Sequence, residues 1–172
     1  MPTNKYFIAI IPPEPIAGEL YKLKEYFRDK YKSKASLNSP THITVHMPFE
    51  YDNEEKLVRI LKKFHHGKIH VELKDFGCFE PRVIFVDVVK DPALDNVQQQ
   101  LMSFCKTELN LFNSQYGDQP FHPHVTLAFR DLKKPAFFEA WQEFKEKKYS
   151  AAFDATRLSL MKHDGKFWRE FS

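Results

Sequence analysis

Short β-rich runs and amphipathic stretches follow one another in the same order twice along this chain, and that repeated order most restricts how it can fold. "YFIAIIP", Tyr6 to Pro12, reads as a strand closed by prolines. Glu14 to Tyr31 then carries Ile16, Leu20, Leu23 and Phe27 at the spacing of one helix face. "THITVHMPF" is short and β-branched. Asn53 can cap a helix with an apolar stripe at Leu57, Ile60, Leu61 and Phe64, and "KIHVELKDFGCF" alternates as a strand does. The second half repeats the pattern: a strand from Arg82 to Val89, a helix from Pro92 to Phe112 with proline in its first turn, the strand "HPHVTLAF", a helix from Lys134 to Tyr149, and a closing strand and hairpin. Each half is β-α-β-α-β. The expectation is a single domain of two pseudo-symmetric lobes, about residues 1–80 and 81–172.

A chain of 172 residues is long enough to bury a substantial core, and 17 phenylalanines supply much of the apolar surface for it. The net charge of +3 is too mild to select a nucleic-acid coat, yet it leaves room for a local basic cleft, because fields depend on distribution. No apolar run is long enough to span a bilayer, and the first residues lack the pattern of a signal peptide, so a cytoplasmic protein without a membrane partner is expected. Cys78 and Cys105 form no close pair and read as reduced thiols of the core.

The third element of each half carries the chemistry. "HITV" begins at His42 and "HVTL" at His124, 124 − 42 = 82 positions later. Side chains at i and i+2 of a strand share a face, so His42 projects with Thr44, and His124 with Thr126. If the halves are related by a rough twofold, two imidazoles and two hydroxyls meet across a groove. One imidazole can then take a proton from a nucleophile while the other gives one to a leaving group, and both forms are accessible near neutral pH. Threonine hydroxyls can donate to anionic oxygens. A phosphodiester is the implied substrate, with acid, base and electrostatic stabilisers all supplied by protein and no metal or other cofactor called for.

Two His-x-Thr copies at equivalent points, the second preceded by Pro123, together with the opening "YFIAIIPPEPI" and the closing "RLSLMKHDGKFWREF", resemble the two-histidine (2H) phosphoesterases, in the branch called 2'-5' RNA ligase or LigT-like proteins. The resemblance implies an α+β LigT-like fold with antiparallel-rich sheets flanking a central cleft. It implies hydrolysis of a 2',3'-cyclic phosphate, at an RNA end or on a small cyclic nucleotide, to a 2'-phosphate, with a weak reversible 2'-5' joining reaction. Carried over by position, His42 and His124 are the acid and base pair, and Thr44 and Thr126 hold phosphate oxygens. The family order has His124 activate water while His42 protonates the leaving oxygen. A monomer is expected. The alternatives are a catalytically idle RNA- or nucleotide-binding module, and a diesterase for another cyclic phosphate, such as one on ADP-ribose.

His46 lies two positions after Thr44, and His122 two before His124. Each is therefore a candidate to share the groove face and touch base or ribose; the alternative is a strand-end residue satisfied locally. A zinc site built from the four histidines is conceivable, but no carboxylate or cysteine is spaced to complete it. Relatives often carry a basic residue five positions after the second histidine. Here that residue is Phe129, and Arg130 follows it, turned to the opposite face unless a bulge at the strand end re-aims it toward substrate. Lys162, Lys166 and Trp168 can contact phosphate and stack on a base, with Trp168 as a core residue the alternative. Phe137, Phe138 and Phe144 are expected to be buried, and "FHHGKIH" to be a solvated turn.

Overall fold

The computed structural model describes residues 3–112 and 120–172. β1 (Asn4–Ile10) sends Tyr6, Ile8 and Ile10 into the core and turns Phe7 and Ala9 to its other face, as strand alternation requires. α1 (Ile16–Tyr31) buries Ile16, Leu20, Lys24, Phe27 and Tyr31 along one stripe and ends at Lys32, whose left-handed φ of 61° lets its N–H reach the Phe27 carbonyl. A 3-10 turn (Ala35–Asn38) leads to β2 (Ile43–Tyr51). α2 (Glu54–Leu61) is capped by the Asn53 side chain, which accepts from the Lys56 N–H at 3.0 Å. β3 (Ile69–Phe79) and β4 (Val83–Val88) form a hairpin. α3 (Pro92–Leu109), capped by Asp91, leads toward β5 (His124–Ala128), and α4 (Lys134–Phe144), β6 (Ser150–Ala155), β7 (Ser159–His163) and β8 (Trp168–Glu170) close the chain.

The strands make two four-stranded sheets, ordered β2-β1-β7-β8 and β5-β4-β3-β6, with every pairing antiparallel. The fold class is the expected α+β. The sheets do not divide the chain near residue 80, however. β3 belongs with β4, β5 and β6, while the closing hairpin β7–β8 returns to the free edge of β1. Loop closure explains the exchange: residues 80–82 are all that separate β3 from β4, so these two pair at little entropic cost, and β1 is left with an edge that only a later strand can cover.

One face of each sheet packs with the helices into one apolar core. Phe27 of α1 stacks on Phe144 of α4 at 4.9 Å between centroids, and both are fully buried; each such ring contributes about 2–3 kcal/mol by leaving water. Phe138 departs from the expected burial, being 38% exposed, because Phe137 and Phe144 occupy the inward positions of α4. No helix among the described residues is long and apolar enough to cross a membrane.

α1 and α4 are also joined through Glu143, whose carboxylate accepts from the hydroxyls of Tyr26 and Tyr31 and from the ammonium groups of Lys30 and Lys147. Burial alone would raise this carboxyl, but the four donors overcome it and hold it at about 2. A carboxyl depressed in the folded state stabilises fully above its unfolded value, and that stabilisation is lost as pH falls through the folded value. Glu143→Gln should therefore cost about 1–3 kcal/mol near neutral pH, measured by urea unfolding. The gap from wild type should close as the solution is acidified from about pH 4.5 toward 2; a gap independent of pH would show that the charge contributes nothing.

Candidate active site

The face of each sheet turned away from the core lines a cavity of about 700 Å³, and both His-x-Thr pairs open into it. In the first sheet, His42 precedes β2 and packs on Phe7 of β1 at 4.8 Å, while Thr44 lies opposite Ala9. In the second, His124 opens β5 and packs on Phe85 of β4 at 4.9 Å, and Thr126 lies opposite Phe85. Each supporting ring is braced in turn, Phe7 by Trp168 at 4.7 Å and Phe85 by Phe79 at 4.6 Å.

The two imidazoles are oriented by the same device. His42 Nδ1 donates to the Pro40 carbonyl at 2.7 Å, and His124 Nδ1 donates to the His122 carbonyl at 2.7 Å, the residue two positions back in each case. A carbonyl can only accept, so in the neutral ring Nδ1 carries the hydrogen and Nε2 keeps its lone pair. Burial pulls His42 down to about 4, assisted by the nearby Lys24 cation and by His124 and opposed by the Pro40 bond. His124 is lowered as well, first by burial and then by His122, against the opposing pull of its own carbonyl bond and of Asp87. Burial thus lowers both rings from the ordinary histidine value of 6.5, and in the neutral form each keeps a basic Nε2.

The structure brings most of the expected residues together. Thr44 and Thr126 line the cavity, and so does His122, whose Nε2 lies 3.1 Å from Asp87 Oδ1. Arg130 reaches it through two backbone irregularities: one extra residue in β5 between the Ile84–Ala128 and Phe85–Thr126 pairs, and a left-handed φ of 62° at Arg130 itself. Its guanidinium lies 5.1 Å over the Phe129 ring, and both residues border the cavity. Lys166 and Trp168 line the cavity as well, whereas Lys162 pairs with Glu54 at 2.6 Å.

His46 is the exception. Thr44 pairs with Ala9 but His46 pairs with Ile8, so β2 spends two residues against one step of β1. This bulge reverses the face, and His46 turns to the core side, 4% exposed, with Nδ1 on the Met47 carbonyl at 2.8 Å and its ring against Phe49. With His46 turned away, the four histidines do not converge, and no set of three His, Cys, Asp or Glu side chains among the described residues is grouped to hold a metal.

Sequence reasoning passed over the wall formed by Ala35, Ser36, Asn38 and Ser39, which lies between the motifs in space but far from the second along the chain. It also passed over Lys24, although a lysine four residues after Leu20 and three before Phe27 stands in the middle of the α1 stripe. A further cavity, of about 300 Å³, opens beside the end of α2 and the β6–β7 connection; Ile8 and Leu160 line it, on the core side of sheet one, with His65 and His66 beyond the end of α2, and neither His-x-Thr motif reaches it.

The fold has known counterparts. E. coli LigT, solved in complex with 3'-AMP, superposes with a TM-score of 0.68 at 19% identity, covering 99% of this chain and 97% of that one. The Thermus thermophilus protein TT0787 superposes at 0.67 with 17% identity over 98% and 95% of the two chains. A Geobacillus kaustophilus (strain HTA426) protein that carries a phosphoesterase name is 29% identical over 147 residues, 82% of this chain and 78% of that protein. The model of the 2'-5' RNA ligase superfamily matches residues 12–167, nearly the whole chain and both histidine motifs, and the chain belongs to that superfamily.

Proposed function

We propose that the protein is a phosphodiesterase that opens a 2',3'-cyclic phosphate at the end of an RNA or on a small nucleotide and leaves a 2'-phosphate. The observation that carries this reading is the pair of Nε2 lone pairs offered to one cavity by two identical Nδ1-to-carbonyl bonds. Membership of the superfamily supports phosphoester chemistry, and the complex of E. coli LigT with 3'-AMP supports a ligand of nucleotide size. In the reaction a neutral imidazole takes a proton from water as the water oxygen bonds to phosphorus. The P–O3' bond breaks, and the protonated imidazole gives its proton to the departing O3'. Thr44, Thr126 and Arg130 donate to the phosphate oxygens, on which charge accumulates.

The two rings are not interchangeable. Burial and Lys24 make His42 the harder to protonate, while Asp87 favours the proton on His124. The free cleft thus favours His42 as base and His124 as acid, the reverse of the order implied by the family resemblance.

His42→Ala and His124→Ala should each lower turnover of a cyclic-phosphate RNA end, assayed in EDTA, by about 10²–10⁴-fold, with binding weakened far less; full hydrolysis by either variant, or binding without turnover in wild type, would refute the reading. With a p-nitrophenolate leaving group, which needs no proton, His124→Ala should keep more of the wild-type rate than His42→Ala; the opposite ranking would restore the family order. Because kcat/KM reports the free protein, in which both histidines are lowered, its bell should peak on the acid side of the ordinary histidine value, 6.5. The kcat bell should peak at higher pH, since bound phosphate favours both protonated rings; coincident profiles measured side by side would contradict this.

A further inference from the structure

Lys24 occupies the centre of the α1 apolar stripe and is 1% exposed. Its ammonium donates to the carbonyls of Ser36 at 3.0 Å and Ser39 at 3.1 Å, and among the described residues no carboxylate pairs with it. A buried ammonium without a counter-ion is costly, and an apolar residue there would bury similar surface without the cost. The cation therefore needs a reason from its surroundings.

Those surroundings are the cleft. Ser36 and Ser39 line the cavity. The Ser39 carbonyl held by Lys24 is followed in the chain by the Pro40 carbonyl, which receives the His42 Nδ1–H. On its other side the wall is tied to the second sheet: Ser36 Oγ donates to the Leu127 carbonyl at 2.7 Å, and Asp131 accepts from Ser33 Oγ at 2.7 Å and from the N–H groups of Lys34 and Ala35. The second motif has its own support, since His122, whose carbonyl orients His124, is held by Asp87. Lys24 is the corresponding support of the first motif: it stands behind the wall formed by Ser36 and Ser39 rather than lining the cavity, and it alone of the two brings positive charge to a cavity that no carboxylate lines among the described residues.

We propose that Lys24 is a positioning residue of the two-histidine cleft: it fixes the peptide segment that orients His42 and supplies a buried positive charge whose counter-ion is the phosphate held in the cavity. This rests on the reading of the cleft as a phosphoester site. Burial pulls the Lys24 ammonium down to about 7, and the carbonyls of Ser36 and Ser39 accept from it. Among the described residues, Tyr21 of α1 has its ring 6.0 Å from the ammonium, His124 of β5 acts on His42, and His122, Arg130, His163 and Lys166 line the same cavity as His42. If an anion in the cleft is stabilised by Lys24, the anion must in turn hold the proton on Lys24, because such coupling is reciprocal.

The test is NMR titration of the Lys24 Cε and His42 Cε1 signals across the lysine and histidine range, with and without inorganic phosphate, in wild type and Lys24→Met. Phosphate should raise the Lys24 midpoint in wild type. Lys24→Met should raise the His42 midpoint, leave that of His124 nearly in place, weaken phosphate binding about tenfold, and lower kcat more than it changes KM. A Lys24 midpoint indifferent to phosphate, or an unmoved His42 midpoint beside a changed melting temperature, would overturn the proposal and make Lys24 a packing residue only. Should Lys24→Met not fold, the wild-type titration decides alone. A phosphate-sensitive Lys24 in a protein that does not hydrolyse the cyclic ester would sink the substrate assignment and sustain the role of Lys24.

Discussion

The acid–base chemistry proposed for the cleft depends on the bond from each histidine Nδ1 to the carbonyl two residues before it. An imidazole free to rotate, or holding its hydrogen on Nε2, would offer a donor where a base is needed. One short bond selects both the tautomer and the direction of the ring, and the aromatic residue beneath the ring, Phe7 or Phe85, holds its tilt. Such a bond is only as firm as the peptide that accepts it. The segments at residues 38–40 and 120–122 lie outside regular strands, so side chains from elsewhere must hold them. Lys24 does so for the first and the Asp87–His122 pair for the second.

The two histidine motifs thus match in local geometry and differ in the charges around them. Both halves place a histidine at a strand start, a threonine two residues on, an aromatic ring below and a second ring bracing it. The neighbours differ, with a cation beside one imidazole and a carboxylate beside the other. The reaction proposed here needs one acid and one base at the same pH, and unequal fields around two matched imidazoles favour that difference.

Strand parity was the weakest link in reading the site. Two irregularities, each a single residue, decide where side chains go: the bulge in β2 sends His46 to the core and Met47 to the cleft wall, and the bulge in β5, with the left-handed turn after it, keeps Arg130 at the cavity. Alternation with period two is reliable only while pairing stays in register, and no residue type in "HITVHMPF" or "HVTLAFR" marks where it slips.

The order of elements, the two His-x-Thr pairs and the superfamily were legible in the sequence, because period and spacing are local properties that survive without knowledge of neighbours. The apolar stripes of α1, α2 and α3 and the alternation of β3 needed only the chain itself. What the tertiary structure decided was everything set by partners distant along the chain: that β3 joins the second sheet and β7–β8 the first, that His46 leaves the site, and that Lys24 meets the wall beside His42. The physical reason is common to all three. Edge pairing, bulge position and the carbonyl acceptors of a buried ammonium are settled by contacts made only after the sheets assemble.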